Sequence, residues 1–218
     1  VINGLLGLES TPAISVTDEV TAHRPEALRA WKEIYEYTRA AGVKRMLQHA
    51  RVGFLGNTFN GMLDMYSDLT LLQGQLGLHV EILEMSDLNR YFKMVSDGDV
   101  EDKLAVMTEF FEVSGDSAAD PIARKPTEEQ LRWSARVAVA QENMVNDHDL
   151  DALTYYCHGA DGDELEKIQG GFIVGHSLLT AAGIPCAGEG DMKTNVAMKI
   201  CDYLELGGSY CEIVTVDY

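Results

Sequence analysis

The sequence predicts an α/β fold: a Rossmann-like domain with a mainly parallel sheet flanked by helices, together with the edges of neighbouring domains. Three observations carry that expectation. From Arg51 onward, short apolar runs alternate with longer segments of helical periodicity. Strands separated by helices of that length imply right-handed βαβ units and parallel pairing. Hydrophobic residues make up 46% of the 218 positions, enough to bury a core of domain size. No internal repeat or low-complexity tract interrupts the alternation.

Residues 1–20 contain Gly4, Gly7 and Pro12, which break any regular pattern, and a short strand is expected at Ala13–Val16. Pro25 suits a first helical turn, and Leu28, Trp31, Ile34, Tyr35 and Thr38 recur at helical spacing towards a C-cap near Gly42. Val52–Leu55 reads as a buried strand followed by the loop Gly56–Gly61. Ser67 or Asp68 caps a helix ending at Gly77, and His79–Met85 alternates as a strand. Ser86 is expected to cap a helix over Asp87–Val95. Asp97 or Asp99 starts another through Phe111, with Leu104, Met107, Phe110 and Phe111 facing inward. Residues 114–125 read as a polar surface loop.

Thr127 and Gln130 make a capping-box pattern for a long helix whose buried stripe is Leu131, Ala135, Val139 and Met144. Strand Leu150–Cys157, helix Asp163–Ala182, strand Ile184–Ala187, helix Asp191–Leu206 and strand Ser209–Val216 complete the pattern.

Net charge is −18, which argues against binding nucleic acid or an anionic membrane electrostatically. No apolar run approaches a membrane span and no signal peptide is visible, so a cytoplasmic protein is expected. The four cysteines, Cys157, Cys186, Cys201 and Cys211, lack metal-finger or CxxC spacing and have apolar neighbours. They read as reduced thiols in or near the core. Neither nucleotide-binding glycine pattern occurs, nor does a Gly-x-Ser-x-Gly elbow. His176 lies mid-helix among apolar neighbours and reads as a core histidine.

Two stretches concentrate the chemistry. Pro185-Cys-Ala-Gly-Glu-Gly-Asp-Met-Lys193 carries Glu189, and Gly207-Gly-Ser-Tyr-Cys-Glu212 carries Glu212. A strand end, a helix and a returning strand bring such carboxylates to one edge of a sheet, where α/β proteins bind ligands. Facing carboxylates there hold a divalent cation or divide acid–base work. Glycines beside an acid also mark ordinary solvated turns, so spacing alone does not choose.

Resemblance does. Ala187-Gly-Glu-Gly-Asp-Met-Lys-Thr194 resembles the motif around the first metal-binding glutamate of L-arabinose isomerases, and Gly207–Glu212 is similar to the segment carrying their second. Ser96-Asp-Gly-Asp-Val100 and the layout from Arg51 to Leu88 match as well. The chain is therefore identified as a member of the L-arabinose/L-fucose isomerase superfamily, over roughly residues 16–218. The resemblance implies a fragment with three parts: 1–48, the end of an N-terminal α/β domain with a crossover helix; 49–207, the central Rossmann-like domain; and 208–218, the start of a C-terminal domain.

The resemblance implies metal-dependent interconversion of a free aldose and its ketose through a cis-enediol. Glu189 and Glu212 would be both Mn2+ ligands and the acid–base pair, with the family's histidine ligands lying past Tyr218. It also implies a homo-oligomer, trimer or hexamer, because the family's active sites lie at subunit contacts. Met62 aligns with an apolar substrate contact. The strand end Thr154–His158 aligns with an aromatic wall of the sugar pocket, the family's phenylalanine falling near Cys157 with Tyr156 adjacent. Core packing accounts equally for Met62 and the tyrosines. His158 opens a stretch that reads either as a ligand-binding loop or as the approach to a helix with an acidic first turn. Two rivals stand beside the enzyme: a non-catalytic or truncated relative that binds sugar or a subunit partner without turnover, and a sugar sensor sharing the α/β layout.

Overall fold

A computed structural model describes residues 24–113, 115, 124–158 and 162–211. The chain divides into two compact units, Val1–Met46 and Leu47–Tyr218. In the first, α1 (Pro25–Leu47) opens on its proline and ends with Lys44 and Arg45 in the last turn, where cations suit the helix dipole. It runs through Gly42 instead of ending there. One glycine among helix formers costs only about 0.5–1 kcal/mol relative to alanine.

In the second unit a four-stranded parallel sheet has the order β2-β1-β3-β4, built from β1 (Arg51–Gly56), β2 (His79–Leu83), β3 (Ala152–Tyr156) and β4 (Cys186–Ala187). Register pairs Val52 with Val80 on one side and with Ala152 on the other. One face presents Leu55, Leu83, Leu153 and Cys186 to a core closed by α3 (Met85–Met94), α4 (Asp97–Phe110), α5 (Glu128–Asp147), α6 (Glu164–Gly170) and α7 (Phe172–Ala181). On the opposite face, α8 (Met192–Tyr203) packs on β3 and β4, while α2 (Leu69–Leu76) lies against β2. The α/β expectation holds.

Caps explain most boundaries. Asp68 accepts from Leu71 N–H at 3.0 Å, and Gly77 closes α2 in the left-handed region. Thr127 and Gln130 form the reciprocal capping box. The stripe of α5 is buried at Ala135, Val139 and Met144, with Leu131 half-buried on the core.

Several boundaries differ from expectation. α3 starts at Met85, capped from Glu84 and not Ser86, because the Glu84 N–H donates to Asp87 (3.2 Å) and Met85 is buried in the core. Ser96 caps α4 by accepting the Asp99 N–H, and Phe110 turns outward, 52% exposed. The single helix expected over 163–182 is two, broken at the weak helix formers Gly170 and Gly171. Ser209–Cys211 is not a strand; the rest of that expected strand, with the strand expected at Ala13–Val16, lies outside the described residues. All four cysteines are free, but only Cys186 is buried and Cys211 is exposed. Among the described residues no helix is long and apolar enough to cross a membrane.

One buried amide fastens the β3–β4 edge. Asn195, fully buried in α8, donates through Nδ2 to Leu153 O at 3.0 Å and to Pro185 O at 2.9 Å. Asn195→Leu should lose about 2 kcal/mol, because it strips a shared donor from carbonyls that water cannot reach. Urea unfolding should show a lower midpoint at unchanged slope.

Candidate active site at the carboxyl ends of β1, β3 and β4

The strand order dictates where a crevice opens. From β1 the chain crosses to β2 on one side, while β3 and β4 extend the sheet on the other. Loops leaving the carboxyl ends of β1 and β3 diverge there, and ligands of open α/β sheets bind at that switch point.

Main-chain hydrogen bonds knit three loops at this edge. Asn57 N–H donates to Tyr156 O at 2.8 Å, Gly190 N–H to Tyr155 O at 2.8 Å, and Phe59 N–H to Glu189 O at 2.9 Å. Two glycines make the approach feasible. A Cβ on Gly56 (φ +79°) would sit 2.2 Å from Tyr156 O, and one on Gly190 (φ +67°) would sit 2.3 Å from Asn57 O. Both have backbone conformations that side-chain-bearing residues seldom adopt.

Glu189 lies inside this weave with φ +60°, also left-handed. Such a conformation persists in a non-glycine residue only where its surroundings over-determine it. Here the bond from Phe59 and the turn Asp191 N–H to Gly188 O (3.0 Å) hold it. Asp191 then caps α8 by accepting Thr194 N–H at 3.0 Å and the Thr194 hydroxyl. The acid two residues after Glu189 is thus a helix cap, and Glu189 faces the cavity.

That cavity, of about 1060 Å³, is lined by Glu189 with Tyr155, His176, Thr180, Ser209 and Tyr210 among others. Burial, with the charge of Glu189 next, pushes the Tyr155 phenol up to about 12, so it is a neutral donor beside the carboxylate. Tyr156, on the opposite side of β3, meets Phe59 edge-on at 5.1 Å. Its phenol is raised by burial and then by the same glutamate. Glu189 therefore sits within electrostatic reach of both tyrosines.

The segment before Glu212 returns to this place. A Cβ on Gly188 would lie 3.2 Å from the Tyr210 ring, and Tyr210 and Cys211 line the cavity with Glu189. Glu212 itself lies outside the described residues. The other sequence candidates spread out. Met62, half-buried, bonds back to Phe59 O at 3.3 Å; Cys157 packs on the core; His158 is exposed; none of the three lines the cavity. Burial and Asp163 push the Cys157 thiol up, opposite to what a nucleophile needs.

Sequence reasoning passed over Tyr155, Tyr210 and the cavity-facing place of His176. The signal available was strand alternation: Tyr155 and Tyr156 point to opposite faces, and only the former shares a face with Cys186.

For a divalent cation, Glu189 offers the hard oxygen donor that Mn2+ takes. Among the described residues no group of three or more His, Cys, Asp or Glu side chains closes a metal shell. Glu189 fits such an ion as one ligand, the others having to come from beyond the described residues.

A comparison with curated proteins finds no match. The family model of the L-arabinose isomerase central domain matches residues 67–207, spanning α2 to the end of α8 and including Glu189. By that match, together with the parallel sheet and its carboxyl-edge glutamate, the chain belongs to the L-arabinose isomerase central-domain family.

Proposed function

We propose that this chain carries part of a metal-dependent aldose–ketose isomerase site, with Glu189 and Glu212 as ligands and acid–base pair. The observation that supports it most is the placement of Glu189: a left-handed glutamate tied by main-chain bonds at the switch-point edge, facing a cavity whose wall includes Tyr155, His176 and Thr180.

A Mn2+ ion bound there would polarise the carbonyl and hydroxyl oxygens on the two reacting carbons. One glutamate removes the proton from C2 of the open-chain aldose; the freed pair forms the C1–C2 double bond as the C1=O1 bond opens and O1 takes a proton, giving a cis-enediol. The O2 hydroxyl then gives up its proton as O2 becomes the carbonyl oxygen, and a proton returned to C1 gives the ketose. Tyr155, kept neutral by burial and by the charge of Glu189, does not compete for the transferred proton. A soluble, homo-oligomeric, cytoplasmic sugar enzyme belongs to the same proposal.

Calorimetric titration of Mn2+, followed by ketose formation from L-arabinose and an aldose panel, tests the reading. Metal binding weakened by both Glu189→Gln and Glu212→Gln, with metal-dependent ketose, is expected. Sugar affinity indifferent to metal and without turnover would leave a non-catalytic sugar-binding relative instead.

A further inference from the structure

The cavity beside Glu189 has a second polar wall, contributed by α7. His176 projects from that helix only 7% exposed, its ring 4.5 Å from Tyr155 and 5.2 Å from Phe172. Those rings pack against its apolar sides. Its Nε2, shielded from bulk water, has no hydrogen-bond partner among the described residues. Burial pushes the imidazole down to about 3, so the ring is neutral under any working condition.

A buried ring nitrogen left unpaired works against folding, and a phenylalanine would pack the same aromatic cluster without that penalty. Asn89, Gln141 and Asn195 also bury unpartnered atoms, but none of them lines this cavity. His176 does, on the wall it shares with Tyr155 and Thr180. A neutral imidazole nitrogen beside a carboxylate suits an uncharged ligand group. A sugar hydroxyl both donates and accepts, so it satisfies Nε2 in either tautomer.

We infer that His176 is a substrate-positioning residue: its ring turns as the sugar enters, so that Nε2, shielded in this structure, hydrogen-bonds a hydroxyl of the sugar that does not react. The inference rests on the isomerase reading and names a residue that reading did not use. It makes the helix face of α7 part of the specificity surface.

The test is calorimetric binding of L-arabitol to the full chain with Mn2+ present. This polyol has no carbonyl and cannot be isomerised, so binding is read apart from turnover. His176→Phe should weaken L-arabitol about tenfold while melting at or above the wild-type temperature. His176→Gln, whose amide reaches about as far as Nε2, should recover most of the affinity. On L-arabinose the loss should appear in KM, with kcat nearly unchanged. Should the phenylalanine variant fail to fold, His176→Leu supplies the smaller apolar replacement. Equal L-arabitol affinity in the apolar variant and the wild type overturns the inference and leaves His176 as core packing. A wild-type chain that binds neither L-arabitol nor L-arabinose overturns the isomerase reading and this inference with it. That failure is distinguishable because it appears before any substitution.

Discussion

Glu189→Gln is expected to lower ketose formation by roughly 10³-fold, the scale of a lost general acid–base group, and to weaken Mn2+ binding in parallel. The substitution preserves shape, so the left-handed backbone at 189 and its bond to the Phe59 N–H stay in place. Stability should therefore change little, which separates lost chemistry from lost fold. A second readout needs no activity. The charge of Glu189 is one cause holding the Tyr155 phenol high, after burial. Removing a neighbouring negative charge favours the phenolate, so Tyr155 should titrate at lower pH in the variant, though still above an ordinary tyrosine. Ultraviolet difference titration checks the sign; an unmoved Tyr155 would place Glu189 elsewhere.

Gly190→Ala is expected to be the most damaging small substitution near the site. The added methyl would meet Asn57 O at 2.3 Å and Thr58 Cα at 2.7 Å, both main-chain atoms that no rotamer change can withdraw. It must also adopt φ +67°, which a side chain disfavours. The two loops must separate, breaking the Gly190 N–H to Tyr155 O and Phe59 N–H to Glu189 O bonds together. A loss of about 3 kcal/mol is expected, within the range of strained-backbone substitutions. Urea denaturation measures it, and Mn2+ titration of the still-folded fraction should show a weakened site. A midpoint within experimental scatter of wild type would mean that the loops are not knitted as described.

The parallel sheet and its helices were legible because strand and helix periodicities differ and because Asp68 and Thr127 stand where caps are needed. Boundaries failed where tertiary context outranked local signal. Met85 joined α3 because it is buried in the core, and the Gly170-Gly171 pair split a run whose apolar content alone reads as continuous. Glu189 was legible through its glycine-flanked motif. The wall around it was not, since Tyr155, His176 and Tyr210 come from three separate elements with no spacing to connect them. His176 shows the limit most clearly: its apolar neighbours correctly place it in the core, and only the three-dimensional arrangement shows that its unpartnered nitrogen belongs to a residue lining a cavity.

The hydrogen bonds Asn57 to Tyr156, Gly190 to Tyr155 and Phe59 to Glu189 join backbone donors to backbone acceptors. The placement of Glu189 is therefore largely decoupled from which side chains Asn57, Thr58, Phe59, Tyr155 and Tyr156 carry. Those side chains, of which only Tyr155 lines the cavity, can change without relocating the Glu189 carboxylate. The fixed points are Gly56 and Gly190, where any side chain would force the weave apart. Diversity among descendants of such a scaffold should collect in the pocket walls, while the glycine hinges stay constant.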